Sequence, residues 1–323
     1  MCQFSYIIWK NHQGDLQMKT NVPCPQCEIP ITLKDFQDFS SPFTMRCPHC
    51  LAKLKETRVT PFLLILLIGA IPLFIFLTDL VQQFLAGFFP FVAKLPSVLI
   101  FLFPLFPVFM LYERFNGLIM FNMGNLRMKH TYESFWDWFL KHEDVYYQLE
   151  EDKLDRAFGA LMKQLSRYSP ALVFEFSVDP IADKREFTIS ANGNLILFPA
   201  VEKLVDAAPP LERFKLIKFH QREETDIRIH DVQLTAKDLF FTYTWHDEIL
   251  ELKVYIKGWD EEDETYFDAA CLFLESLVGE YDLVMHVENV EFYQYEENAF
   301  LKPIAELPAL VDELKNEKLQ PQD

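Results

Sequence analysis

Hydrophobic positions change their period along this chain. Ile29, Ile31 and Leu33 alternate with their neighbours as a short strand would. From Pro61 to Leu80 the pattern becomes continuous, and PFLLILLIGAIPLFIFLTDL holds one charge, Asp79, at its far end. A second apolar run, Leu95 to Tyr112, has no charge but contains Pro96, Pro104 and Pro107. Each run has the length needed to cross a hydrocarbon core about 30 Å thick. Prolines are tolerated in such helices where neighbours satisfy the freed carbonyls. The pattern predicts a two-span transmembrane helical hairpin over residues 60–112, with Val81–Lys94 as a short external loop.

Beyond residue 145 helical and strand periods mix. Leu154, Phe158, Leu161, Leu165 and Tyr168 recur at helical spacing, and Leu172, Phe174, Phe176 and Val178 alternate. Glu186–Ala191 reads as the next strand, with Asn192-Gly193 as a turn. Phe198–Ala208 reads as a helix stopped by Pro209-Pro210, before strands at Phe214–Phe219, Ile227–Leu234 and Leu239–Trp245. Leu250, Leu252, Val254 and Ile256 alternate cleanly, and the stripe Phe267, Ala270, Leu274, Leu277 ends at Gly279, a C-cap. Tyr281–Val287 and Val290–Tyr295 read as strands and Pro308–Leu319 as a helix. Residues 145–323 are thus expected to form an α+β domain with a largely antiparallel sheet covered by helices. Residues 113–144 are read as a juxtamembrane linker. Its cluster Phe135-Trp136-Asp137-Trp138-Phe139 suits either an interfacial anchor or a helix docked on the domain.

Charge sharpens this partition. The 323 residues carry a formal charge of −18, yet residues 131–323 alone carry −22 while 1–60 and 61–130 carry +2 each. That balance excludes a nucleic-acid binder, because phosphate contacts need a basic surface. A hydrophobic content of 50% excludes a disordered chain. Lys53, Lys55 and Arg58 precede the first run, Arg114, Arg127 and Lys129 follow the second, and the loop has only Lys94. The positive-inside rule then predicts an integral inner-membrane protein with both termini cytoplasmic. Tyr6–Trp9 is too short for a secretory h-region, and within the N-terminal extension 1–20 residues 1–17 carry no motif, Met18 being an alternative start.

Four of the six cysteines carry the chemistry. Cys24-Pro25-Gln26-Cys27 and Cys47-Pro48-His49-Cys50 give C-x2-C-x19-C-x2-C, spacing expected of a four-cysteine zinc site. Two intervening residues let one tight turn aim both thiolates at one ion, and two such turns complete a tetrahedron. The segment 21–57 thereby resembles the zinc ribbon found across bacterial and archaeal proteins, including zinc-ribbon membrane proteins of bacteria. A structural Zn2+ is the implied cofactor. Many such knuckles have Gly after the second cysteine, where this chain has Glu28 and Leu51. His49 is expected to face solvent, since four thiolates close the site. Cys-Pro-His-Cys also looks like the active-site tetrapeptide of thioredoxin-fold disulfide oxidants. That reading needs a lone CxxC in a βαβ context, and this one has a twin. Cys2 and Cys271 stand apart, Cys271 as a core residue of a helix.

No GxSxG, HExxH, P-loop or GxGxxG occurs. His220, His230, His246 and His286 lie in or beside strands with no cysteine or carboxylate at ligand spacing, and Asp260–Glu264 lacks the Gly of a calcium loop. Phe174-Glu175-Phe176, Ser190-Ala191-Asn192-Gly193 and Gly279-Glu280-Tyr281 resemble cytosolic bacterial α+β domains of uncharacterised function. The expected role is a membrane-tethered interaction or regulatory module, not an enzyme, contacting the lipid bilayer and a protein partner of the acidic domain. An immunity-like inhibitor of a basic toxin, steered by charge, is the alternative from another class. A hydrolase with a site assembled from scattered residues of the C-terminal domain is the third.

Overall fold

The computed structural model describes residues 21–37, 45–94, 121–223, 226–246, 249–298 and 300–318, together with 96, 100 and 106. The chain divides into two compact units, one ending at Thr131 and the other containing Tyr132–Asp323.

In the N-terminal unit, β1 (Asn21–Pro23) pairs antiparallel with β2 (Pro30–Thr32), and α1 (Leu33–Gln37) follows directly. Thr32 and Asp35 cap α1 reciprocally, the Thr32 N–H donating to Oδ2 at 2.7 Å and the Asp35 N–H to Oγ1 at 3.4 Å. The strand β3 (Leu54–Glu56) leads into α2 (Val59–Phe88), and β4 (Leu126–Met128) returns to pair antiparallel with β3. Residues 121–123 are helical, and after a break at 124–125 the chain enters this strand.

The two-span hairpin predicted for 60–112 is corrected. Among the described residues, no helix is long and apolar enough to cross a membrane. A crossing needs about 20 consecutive apolar residues. The described second half of α2 interrupts such a stretch with Thr78, Asp79, Gln82 and Gln83, and runs on through the expected loop to Phe88. Of the second run, all but Pro96, Ile100 and Phe106 lies outside the described residues, as does the extension 1–20.

The C-terminal unit opens with α3 (Tyr132–Leu140), α4 (Glu143–Gln148) and α5 (Leu154–Leu165). A three-stranded sheet follows, in which β6 (Arg185–Ser190) pairs antiparallel with β5 (Val173–Phe176) and parallel with β7 (Phe214–Lys218). Between β6 and β7 runs α6 (Phe198–Asp206), the helical crossover that a parallel pair requires. The cluster read as anchor or docked helix is α3, whose Phe135, Trp136 and Phe139 are buried within this unit. Phe139 stacks on Phe187 of β6, with ring centroids 5.1 Å apart, and on Tyr146 of α4 at 5.4 Å. The Trp136 indole N–H donates to the Leu204 carbonyl at 2.7 Å. This part of the expected linker therefore supplies core to the sheet.

A two-stranded hairpin, β8 (Ile227–Ile229) and β9 (Val232–Leu234), precedes a four-stranded sheet. There β10 (Leu239–His246) and β11 (Ile249–Ile256) pair antiparallel, and β12 (Val287–Gln294) lies parallel to β11. The helices α7 (Glu264–Val278) and α8 (Glu280–His286) connect β11 to β12. A short β13 (Lys302–Pro303) borders β10, and α9 (Leu307–Lys318) closes the unit. Leu250, Leu252, Val254 and Ile256 of β11 share one buried core with Phe273 and Leu274 of α7 and Val311 of α9. The expected single, largely antiparallel sheet is thus two main sheets, each with one parallel pair. The segment read as a strand at 281–287 is helix α8, because Leu283 and Val284 turn into the core and the Leu283 N–H bonds back to Gly279. Cys271, expected in the core, is half-buried on α7.

Candidate metal centre

Two matching turns build the N-terminal site. In the first, the Glu28 N–H donates to the Cys24 carbonyl at 3.0 Å, and the Cys24 N–H to Ile29 at 3.1 Å. In the second, the Leu51 N–H donates to the Cys47 carbonyl at 3.0 Å, and the Cys47 N–H to Ala52 at 3.0 Å. Each turn closes at a residue in the left-handed region, Glu28 with φ 64° and Leu51 with φ 59°. These are the two places where glycine was missed, so side chains there take a conformation that costs roughly 1–2 kcal/mol. Inside each turn a backbone amide points at sulfur: Gln26 N–H to Cys24 Sγ and His49 N–H to Cys47 Sγ, both at 3.4 Å.

The hairpin β1–β2 carries the first turn and the Arg46–Lys53 bridge leading into β3 carries the second. Together they bring Cys24, Cys27, Cys47 and Cys50 into one buried cluster, with all ligand atoms within 4.8 Å of one another. The contacts run between turns, Cys24 Sγ to Cys50 Sγ at 3.8 Å and Cys27 Sγ to Cys47 Sγ at 3.8 Å. Bonds from the Cys27, Cys47 and Cys50 thiols favour the thiolate at Cys24, whereas the Cys24 sulfur is the main influence holding Cys27 and Cys50 protonated. His49 is exposed and is not part of the cluster, in line with the closed four-sulfur set. Four buried thiols this close can hold one metal ion.

A family described as the YcnL membrane protein family matches residues 32–127. The uncharacterized protein YcnL of Bacillus subtilis (strain 168) is 30% identical over 104 residues, 32% of this chain and 89% of that protein. The chain belongs to the YcnL membrane protein family. The YcnL match includes Cys47 and Cys50, begins just after Cys24 and Cys27, and stops before the C-terminal unit. No solved structure matches the chain.

Among the described residues one further cluster of potential ligands occurs, His220 with Glu275 and Glu280. Sequence reading passed over it, since 55 and 60 positions separate the histidine from its carboxylates and no local spacing marks the group. Glu275, bonded to His220 Nδ1 at 2.5 Å, holds the imidazole above the usual histidine range against the opposing effect of burial. Asp260–Glu264, by contrast, remains a polar face: the Asp263 carboxylate accepts from the Thr265 N–H at 2.8 Å and caps α7.

Proposed function

We propose that this chain is a membrane-associated, non-catalytic interaction module whose N-terminal unit is a zinc ribbon folded around a structural zinc ion. The observation that carries the zinc reading is the sulfur geometry. A tetrahedron with Zn–S bonds of about 2.3 Å has S···S edges of about 3.8 Å. Both contacts between the turns are 3.8 Å, far beyond the S–S bond of a disulfide. A set of four buried thiolates leaves no open position for a substrate, so the ion's role is structural, and Cys24, Cys27, Cys47 and Cys50 are its ligands. Binding and folding are coupled at such sites.

Attachment to a membrane rests on two supports. One is the description of the YcnL family as membrane proteins. The other is the apolar surface of α2, where Phe62, Ile65, Ile68, Phe76, Phe84 and Phe88 are all exposed. Apolar surface of this extent marks an interaction site. The acidic C-terminal unit is the part available to a protein partner, and its charge favours a basic one.

Elemental analysis of the purified protein tests the zinc reading. One zinc per chain is expected, lost in Cys47→Ser together with the fold of the N-terminal unit. Absence of metal, with all four thiols alkylated in the native protein, overturns it. Recovery of the chain wholly in the soluble fraction of disrupted cells overturns the membrane reading.

A further inference from the structure

The His220 cluster sits where three elements of the C-terminal unit meet: the end of β7, helix α7 and the start of α8. Glu280 is 1% exposed, and its carboxylate is fixed by backbone on both oxygens. Oε1 accepts from the N–H groups of Ala191 and Gly193, each at 3.0 Å, and Oε2 from the His220 N–H at 3.0 Å. A carboxylate has about four lone-pair sites. Three are occupied here, and the fourth belongs to Oε2, the oxygen on the His220 side. The His220 Nδ1 lies 2.5 Å from Glu275 Oε1, and the three ligand atoms fall within 4.8 Å of one another. Glu175 is a further charged neighbour, its Oε2 3.8 Å from His220 Nε2.

Glu275 and Glu280 also line a cavity of about 370 Å³. Its polar side includes Asn192, Gly193 and Asp268, and its apolar side includes Leu283 and Phe292. A half-buried imidazole, a buried carboxylate and a second carboxylate converge beside a cavity.

We propose that His220, Glu275 and Glu280 form a second metal site, taking one divalent first-row transition ion whose remaining coordination positions open into the adjoining cavity. The donor set is one imidazole nitrogen and two hard oxygens, the mixture that suits such ions better than thiophilic or purely oxygen-seeking ones. Charge agrees: two carboxylates and a neutral imidazole balance a divalent cation. The hydrogen bond between Nδ1 and Glu275 gives way as the ion enters, and its proton leaves to solvent. Three protein ligands leave room for water or a ligand oxygen, as in open metal sites. The −22 charge carried by residues 131–323 raises the local concentration of cations around the site. The backbone clasp on Glu280 supplies the supporting hydrogen bonds that orient ligands and raise affinity. This inference stands independently of the four-cysteine centre.

Mn2+ is the probe, because thiolates bind it poorly. The full-length protein, with its cysteine centre loaded with zinc, is titrated with Mn2+ while electron paramagnetic resonance follows the free ion. Uptake of one Mn2+ per chain is expected. His220→Ala and Glu275→Gln should each weaken it by at least roughly ten-fold. Glu280 is left intact because it anchors three backbone groups and its loss would disturb the fold. In the native protein labelled at histidine, the His220 imidazole resonance should broaden first and most. Failure to take up Mn2+ into the millimolar range overturns the proposal. So does uptake that both variants leave unaltered, or broadening spread evenly over the other histidines.

Discussion

Replacing Glu56 by alanine should loosen the junction between β3, β4 and α2. Glu56 is only 6% exposed, and its carboxylate accepts four backbone N–H groups. Arg58 at 2.6 Å, Val59 at 2.9 Å and Asn125 at 3.0 Å donate to Oε1, and Thr60 at 2.5 Å donates to Oε2. Three of these donors belong to the start of α2, where no intrahelical partner exists. Asn125 immediately precedes β4, so one side chain ties a helix start to the strand that returns to it. In the alanine variant water can reach Arg58 and Asn125, but Val59 and Thr60 are buried. Two buried donors left unpaired cost about 3 kcal/mol together, or roughly a hundred-fold more frequent opening.

Hydrogen exchange at the amides of residues 58–60 in the full-length protein reads this directly. The same experiment has a pH dependence of fixed sign. Burial tends to raise the Glu56 carboxyl, but the N–H groups of Thr60, Asn125, Val59 and Arg58 outweigh it and hold the group below its ordinary value. A carboxyl lowered on folding contributes stability that is present above its unfolded value and is lost as pH falls through the folded one. Protection at these amides should therefore decline on acidification below roughly pH 4.3, and Glu56→Gln should abolish that decline. A change in protection under about two-fold in Glu56→Ala, the size of an ordinary surface substitution, would refute the reasoning.

The remaining expectations concern the two knuckles and the aromatic core. Leu51→Gly removes a left-handed leucine and should stabilise the N-terminal unit by about 1 kcal/mol, seen as slower loss of metal to a chelator. Trp136→Phe removes the hydrogen bond to Leu204 and should destabilise the C-terminal unit by about 2 kcal/mol in chemical denaturation. A fragment beginning at Val145 lacks Phe135, Trp136 and Phe139, each worth about 3–5 kcal/mol when truncated in a core, against a total stability of about 5–15 kcal/mol for a domain. It should aggregate, whereas one beginning at Thr131 should melt cooperatively; equal behaviour of the two would show that α3 is dispensable.

What the sequence made legible was what is encoded locally. The cysteine knuckles are two-residue spacings, so their turns could be read before any fold was known. The alternation at 250, 252, 254 and 256 marks β11 because one face of that strand is buried. Non-local features were lost. The helices α6 and α7 are legible between strands, but which strands they join as parallel neighbours, β6 with β7 and β11 with β12, is set by the packing of the sheets. The β-prone residues of Tyr281–Val287 became α8 because tertiary burial of Leu283 and Val284 outweighed propensity. His220 met Glu275 and Glu280 only through the packing of α7 and α8 against the end of β7. Nor did composition separate an exposed apolar helix from a membrane span, since both read as an unbroken apolar run.

The two candidate centres therefore differ in how the chain prepares them, and the difference bears on their roles. At the cysteine centre the preparation lies in the backbone: two turns hold Glu28 and Leu51 at φ 64° and 59°, conformations that other residues avoid. Strain of this kind persists only where the surroundings over-determine it. The hydrogen bonds within each turn secure its backbone, but the burial of four polarisable sulfurs at tetrahedral edge length gains little without an ion between them. A metal ion held by all four sulfurs would supply what the turns lack, without leaving a position open. At His220 the preparation lies in a side chain, Glu280, whose carboxylate is clasped by three amides from two separate loops, while the cavity beside it stays accessible. A closed site fixes a fold. The site proposed at His220, open and held by elements that packing alone brings together, would be where this chain engages a ligand.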